Sequence, residues 1–571
     1  MEKGGTGQMR DVPINVLYAE GVSSLGDTVT DAVDQIFEGS QGLFHDSGII
    51  SRDLRLGVIH DLDFHFEKSR SYALLRKVCE KLPDYPRKET YLYLASTVGA
   101  IDELEKASAG EKPDCTGLLL QEARALTGID KAVLVSAACA SGQTAAAMAM
   151  RALRYGRCRY ALVIGIDICS EFVTGGFASL RAYSKDLPKP YDRDRDGLCL
   201  GEGCGALLLT AEEAPDAVGQ LLEAREGCDA SHITAPESSG KSLASLIDET
   251  LKLTGLRPSQ LSAVIGHGTG TIFNDASELA ALNQVFSRPL PLVSIKGNTG
   301  HTLGATGVLQ IAYGLEFLHR GYFPPQAGLQ NLADGASGFV SKKVRQISKE
   351  GVLLSLNVGF GGLNSTMLMR LPVKEVQKSL PLQTELPMFE HGTAVNLDCN
   401  MRKCSGNRKL ISFEDLTDLK EQLLQMAGNL QVDLADFRRA ADNVRMAQLG
   451  VLLCAIAMGD EWSPENTGII GVNGDGCAAN NRAYWDDYVA HGRDSGRASL
   501  FVPTLPSIPA CEAAIALGIK GPVRYVSSRL SIFEHLQNTF AAYDELRQLI
   551  TVEIDNGRAN IKLYKRCTSL G

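Results

Sequence analysis

The chain contains no Cys-x-x-Cys pair, no apolar run near the ~20 residues that cross a bilayer, and no surplus of basic charge. The first absence argues against structural zinc. Cys199/Cys204 and Cys399/Cys404 are each separated by four residues, and neither pair has histidines at zinc-finger spacing. Fourteen scattered cysteines then read as reduced thiols of a cytoplasmic protein. The second absence excludes a membrane-spanning helix, since "LGVLLCAIAM" (449–458) has only the length of a core helix. The opening "MEKGGTGQMRDVPINV" also lacks the apolar segment of a signal peptide. The third absence, 57 basic against 67 acidic residues and a net charge of -10, argues against generic nucleic-acid binding. It leaves room for a local basic patch facing an acidic partner.

What is present is an ordinary globular composition, 44% hydrophobic and 22% charged, over 571 residues, enough for more than one core. Apolar strands alternate with helices: "INVLYAEGVSS", "ETYLYLA", "KAVLVSAA" and "RYALVIGID" are strands, with helices between them. A second such run follows, through "LSAVIGHGTGT", "LPLVSIKGNTGH" and the late pair in "GVLLSLNVGFGGLNSTMLMRL". The pattern predicts an α/β fold with sheets buried on both faces. A linker-like stretch at 372–387 precedes a tail of nearly two hundred residues. Within the tail, 500–531 echoes 115–141: helix, Gly-Ile, strand, turn. Aligning Val526 with Val135 puts Leu530 where Cys139 stands.

Four stretches carry chemistry. "LVSAACASGQTAAAMAMRAL" (134–153) sets Cys139 between a strand and an alanine-rich helix. A helix start favours a thiolate, whereas a buried free cysteine is the bland alternative, and this stretch alone leaves both open. "VIGHGTGTIFNDASELAAL" ends a strand on His267, with Thr269 and Thr271 able to bond a polar arm and Asp275 as a helix cap near Glu278. "VSIKGNTGHTLGATG" places Lys296 and His301 around a glycine loop that lacks the Lys-Ser/Thr ending of a phosphate loop. "NVGFGGLN" bears Phe360 on glycines that free its backbone N–H. "DRDRDG" (192–197) starts like a calcium loop, but Gly203 stands where the bidentate glutamate belongs. Lys68 and Arg70, with Arg76 and Lys77, give one helix a basic face, read either as a docking face for an acidic partner or as a solvated surface.

In this order, "SAACASG", "PYDRDRDGLCLGEGCGALLL", "HGTGTIFND..E", "KGNTGHTLGATG" and "GFGGLN" make residues 11–371 resemble the elongating Cys-His-His β-ketoacyl-acyl carrier protein synthases. The resemblance implies a thiolase-like fold of two pseudo-symmetric α-β-α halves, 1–215 and 216–371, followed by a degenerate, non-catalytic half at 388–571. It implies Cys139 as acyl acceptor and His267 and His301 as the groups promoting malonyl decarboxylation. Lys296 and Glu278 would support the histidines. Phe360 would gate the pocket and complete an oxyanion hole, and Thr269 and Thr271 would contact phosphopantetheine. The implied reaction is decarboxylating Claisen condensation with malonyl-acyl carrier protein, in fatty-acid or polyketide/polyene synthesis. It needs no metal or redox cofactor, only the phosphopantetheine on the carrier protein. The implied partners are acyl carrier protein and a second copy in a homodimer. Alternatives are a thiolase-fold acyltransferase without condensation and a non-catalytic chain-length partner. One departure stands out: Leu356-Asn357-Val358 replaces the family's Asn-Ser-Phe before the glycine loop.

Overall fold

The computed structural model describes residues 12–45, 53–60, 62, 69–373, 387–406, 409–472, 474–491, 496–528 and 530–567. Its first unit holds β1 (Ile14–Ser23), β2 (Thr90–Ala95), β3 (Ala132–Ser136), β4 (Tyr160–Asp167) and β5 (Gly203–Thr210). They lie side by side as β3-β2-β4-β5-β1, with β5 antiparallel to both neighbours and the rest parallel. A second unit repeats this order. β6 (Gly219–Cys228), β7 (Leu261–Ile265), β8 (Leu292–Val293), β9 (Val352–Gly359) and β10 (Leu363–Arg370) run β8-β7-β9-β10-β6. The two sheets join where the start of β1 pairs with the start of β6. β2, β3, β9 and β5 are buried along their whole length, so their near-continuous apolar sequences are what two covered faces require.

Between the sheets run α2 (Ser141–Arg154) and α5 (Thr306–Arg320); α1 (Arg70–Cys79), α3 (Glu171–Ser179) and α4 (Ile272–Val285) lie outside this layer. All residues of α2 are buried. Its small side chains answer to close crossing: a Cβ on Gly307 of α5 would come within 2.3 Å of the Gln143 nitrogen. This is why "CASGQTAAAMA" carries so few large residues.

The tail builds the same topology a third time. β11 (Phe389–Asp398), β14 (Thr467–Val472), β15 (Val523–Ser528), β16 (Gln548–Asp555) and β17 (Arg558–Arg566) run β15-β14-β16-β17-β11, and β12 (Lys403–Gly406) and β13 (Lys409–Ser412) extend the β11 edge. Its helices include α6 (Asp442–Met458), α7 (Ala478–Ala490), α8 (Ala498–Phe501), α9 (Ile508–Leu517) and α10 (Ile532–Ala542). β15 pairs antiparallel with β3, and Val526 faces Val135. These are the two residues that the internal echo aligns, so the two units meet about a local two-fold at that pair. Leu530 then precedes α10 as Cys139 precedes α2. One feature departs from a first-unit copy. β16 and β17 join through the two-residue turn Asn556-Gly557, both at positive φ, whereas the β4–β5 connection carries α3 and the "DRDRDG" segment.

The β3 edge, which would be the place for a second copy to add its own strand, is occupied by the chain's own β15.

Candidate active site

Cys139 sits on a sharp turn between β3 and α2. Ala138 before it adopts φ +47, left-handed for a residue with a Cβ, and Ser141 Oγ accepts the Ala137 N–H at 2.8 Å. The thiol reaches a cavity of about 330 Å³ whose wall includes His267, His301, Thr269, Thr271 and Phe360. A larger cleft of about 460 Å³ lies between the second unit and the tail and shares no residue with the cysteine cavity.

The histidines meet edge to face, ring centroids 5.4 Å apart. His301 Nδ1 accepts the Leu303 N–H at 3.2 Å. His267 Nδ1 lies 3.2 Å from Lys296 Nζ, which also donates to the His267 carbonyl at 2.6 Å. With Nδ1 accepting in both rings, each neutral imidazole carries its proton on Nε2. Burial, and secondly the Lys296 charge, hold both well below the ordinary histidine range. His301 Nε2 is buried with no protein partner, a donor left for something in the cavity.

Lys296 and Glu278 stand behind the histidines and off the cavity wall. Glu278 accepts the N–H groups of His267 at 2.6 Å and Gly268 at 2.8 Å and the Tyr191 hydroxyl at 2.9 Å. Burial pushes the Glu278 carboxyl up and the Lys296 ammonium down, and each charge partly offsets the other's shift. Thr269 and Thr271 are linked Oγ to Oγ at 2.8 Å on the wall. Asp275 is not the helix cap: Thr271 is, while Asp275 in the first turn accepts the Thr269 N–H at 2.9 Å and the Tyr191 N–H at 2.8 Å.

The thiolate that a helix start favours is opposed here by burial. The helix start does not leave Cys139 a ready thiolate: burial pushes its thiol up to about 12, against Lys296 and the backbone N–H groups of Cys139 and Phe360, which favour the anion. Those two N–H groups do converge on the sulfur. Phe360 stacks on Phe177 at 5.9 Å. Asn357, at the departure before the glycine loop, is buried and donates to Gln143 Oε1 at 3.0 Å, so it ties β9 to α2. The "DRDRDG" acids are engaged by the chain itself. Asp192 accepts the N–H groups of Gln330 and Asn331, both at 2.6 Å, and Arg195 reaches the Ile272 carbonyl at 2.9 Å beside the cavity.

The proposed docking helix fares differently. Lys68 lies outside the described residues. Arg70 is turned inward, its guanidinium on Glu202 and on the Ile59 carbonyl at 2.8 Å, so it offers no charge to a partner. Lys77 pairs with Asp27 at 2.8 Å, and Arg76 lies 3.7 Å from Glu122. A helical charge pattern does not distinguish a face that pairs inward from one that meets solvent.

Sequence reasoning missed the packing behind the cavity wall, because it comes from the tail. The apolar cluster around Cys139, Phe172 and Phe177 continues into Tyr484, Trp485, Tyr488, Phe501 and Leu505. Phe501 packs on Phe177 at 5.7 Å and on Phe172 at 6.2 Å. The available signal was Gly175-Gly176 inside α3: a Cβ on Gly176 would lie 2.1 Å from the Phe501 ring, and one on Gly175 2.6 Å from Tyr488.

Residues 128–214 match the β-ketoacyl synthase N-terminal domain and residues 219–330 the β-ketoacyl synthase C-terminal domain. The 3-oxoacyl-(acyl-carrier-protein) synthase 2 of Synechocystis sp. is 32% identical over 249 residues, 41% of this chain and 60% of that relative. Clavatol synthase claF of Penicillium crustosum is 30% identical over 260 residues, 41% of this chain and 10% of its own length. The chain thus spans at most 60% of the length of these curated relatives. Among solved structures, the PfaC keto synthase-chain length factor superposes over 98% of this chain and 79% of its own, with TM-score 0.77 and 14% identity, a likeness of fold that includes the tail. The ketosynthase ApeO, in complex with its chain length factor ApeC from Xenorhabdus doucetiae, covers 63% of this chain and 98% of its own at 26% identity and TM-score 0.56.

Proposed function

We infer that this chain, which carries both matched β-ketoacyl synthase domains, is a decarboxylating ketosynthase that joins a Cys139-bound acyl group to malonyl-acyl carrier protein. The observation that carries the reading is the pair of neutral imidazoles, both with Nε2–H, on the wall of the cavity that Cys139 opens into. Two neutral donors suit a negative oxygen that forms during the reaction and is absent before it.

The first half-reaction is acyl transfer. Cys139 Sγ attacks the carrier-bound thioester, the N–H groups of Cys139 and Phe360 hold the resulting oxyanion, and the carrier thiol leaves with the proton. Malonyl-carrier then enters past Thr269 and Thr271. Its terminal carboxylate departs as CO2, and the electron pair moves onto the thioester oxygen as an enolate bonded to His267 and His301. No general base is needed, because C–C cleavage supplies the carbanion. The enolate carbon attacks the acyl carbonyl on Cys139, the same oxyanion hole holds the new tetrahedral centre, and collapse expels the cysteine thiolate and releases the 3-oxoacyl-carrier product. Lys296 keeps His267 in its tautomer and offsets thiolate charge.

The tail acts in this reading as shape, not chemistry. Leu530 replaces the nucleophile, and Tyr484, Phe501 and Leu505 back the acyl pocket through Phe172 and Phe177. The test is incubation with acyl- and malonyl-carrier proteins followed by intact-mass analysis. A 3-oxoacyl-carrier product supports the reading. An acylated enzyme without that product would make it a plain acyltransferase, and neither species would make it non-catalytic.

A further inference from the structure

Asp167 ends β4, is 4% exposed, and does not line the cysteine cavity. Its Oδ1 accepts the Ser96 hydroxyl at 2.7 Å, its Oδ2 accepts the Gly304 N–H at 2.6 Å, and the Thr97 N–H lies between them at 3.3 and 3.0 Å. Three donors from two separate segments therefore converge on one carboxylate. Gly304 follows Leu303, whose φ of +50 is a left-handed conformation that strains a residue with a Cβ. The Leu303 N–H is the group that fixes the tautomer of His301. A Cβ at Gly304 would lie 2.7 Å from Asp167 Oδ2 and 2.9 Å from the Ser96 Cα, so the glycine is what admits the carboxylate.

We propose that Asp167 is a positioning residue: its carboxylate clamps the strained Leu303–Gly304 turn against the end of β2 and so keeps His301 Nε2–H aimed into the cavity. Burial raises Asp167 to about 6, which leaves it ionised at neutral pH, the form that accepts all three donors. Without the acceptor, a buried Gly304 N–H is unpaired and nothing opposes relaxation of Leu303. The nucleophile turn has its own anchor in Ser141, which bonds the Ala137 N–H at 2.8 Å; the Asp167 charge bears on Cys139 by raising its thiol, so losing that charge does not slow loading.

The inference rests on the decarboxylating reading for its kinetic arm only. In Asp167→Asn, an NH2 group meets donors where an oxygen accepted them. Malonyl decarboxylation should fall on the order of 100-fold, while acyl loading of Cys139 stays within about three-fold of wild type. Adding D167N to His301→Ala should cost little more than H301A alone, because both act through one imidazole. Hydrogen exchange across residues 300–306, which needs no substrate, should quicken in D167N. Equal losses in loading and decarboxylation, full additivity with H301A, or unchanged exchange would each overturn the clamp. Should D167N not fold by circular dichroism, Ser96→Ala, which removes one donor, must show the same pattern at smaller size or the proposal falls. A wild type that releases no CO2 would sink the functional reading, and exchange would still decide the clamp.

Discussion

At the scale of single residues, the site separates a nucleophile that burial has made reluctant from two imidazoles that burial has kept neutral. The Cys139 thiol, pushed to about 12, is protonated throughout the neutral range. Its alkylation by iodoacetamide should therefore climb about ten-fold per pH unit between pH 6 and 9, since the thiolate fraction grows as pH approaches the raised value from below. A rate flat over that window would mean a preformed thiolate. Cys139→Ala should abolish acyl loading, and loading at another of the thirteen remaining cysteines, visible by peptide mass analysis, would overturn the assignment. His267→Ala and His301→Ala should each lower condensation by roughly 10²–10³-fold while acyl transfer changes far less, since their Nε2–H groups serve the enolate. Product formation at wild-type rates in both would refute the two-histidine scheme. These residues were legible because each lies on a turn of small residues after an apolar strand, a local pattern. Arg70 was misread for the converse reason: its partner Glu202 stands 132 residues away, and no spacing along one helix reveals it.

At the scale of elements, the repeated β3-β2-β4-β5-β1 order was partly visible as alternating strands and helices, whereas the side-by-side order rests on long-range pairing that sequence periodicity does not encode. The seam between α3 and the tail is the informative case. Gly175 and Gly176 lower helix propensity by about 1 kcal/mol each, a cost that makes sense only once Tyr488 and Phe501 are seen lying against them. Phe501→Ala would remove a ring packed behind Phe177 and open space at the end of the acyl pocket. It should destabilise the protein by about 3–5 kcal/mol at most and shift products toward longer chains, measured by mass spectrometry of carrier-bound products. Gly176→Ala should do the opposite structurally, forcing the ring away and loosening the tail. An unchanged product distribution in soluble F501A would show that the tail does not shape the pocket.

At the scale of the whole molecule, a third unit that carries no nucleophile is held by the strand edge nearest the catalytic turn. Each half of this fold exposes that edge, and an open edge invites pairing with another chain. Here β15 closes it in cis, with Tyr525, Val526, Ser527 and Ser528 opposite Ser136, Val135, Leu134 and Val133. Charged groups reinforce the join: Arg151 of α2 pairs with Glu226 at 2.5 Å, and the Tyr543 hydroxyl donates to the same carboxylate at 2.7 Å. The half-unit reaches the catalytic body through β15, α10, the α7–α8 segment, α9 and the turn at Lys520, whose carbonyl accepts the Cys228 N–H at 3.0 Å. The internal echo in the sequence pointed to this copy; that it would pair with its own template required the register. The full chain should therefore form no second-copy dimer through β3. Val526→Pro, which places a ring and no N–H in the middle of the β15 ladder, should free the tail for limited proteolysis and lower loading of long acyl chains more than short ones. A body ending at residue 373 should either aggregate or dimerise through the bared β3 edge, read by light scattering. A truncated body that stays monomeric, soluble and fully active would show that the third unit contributes neither closure of the edge nor shape to the site.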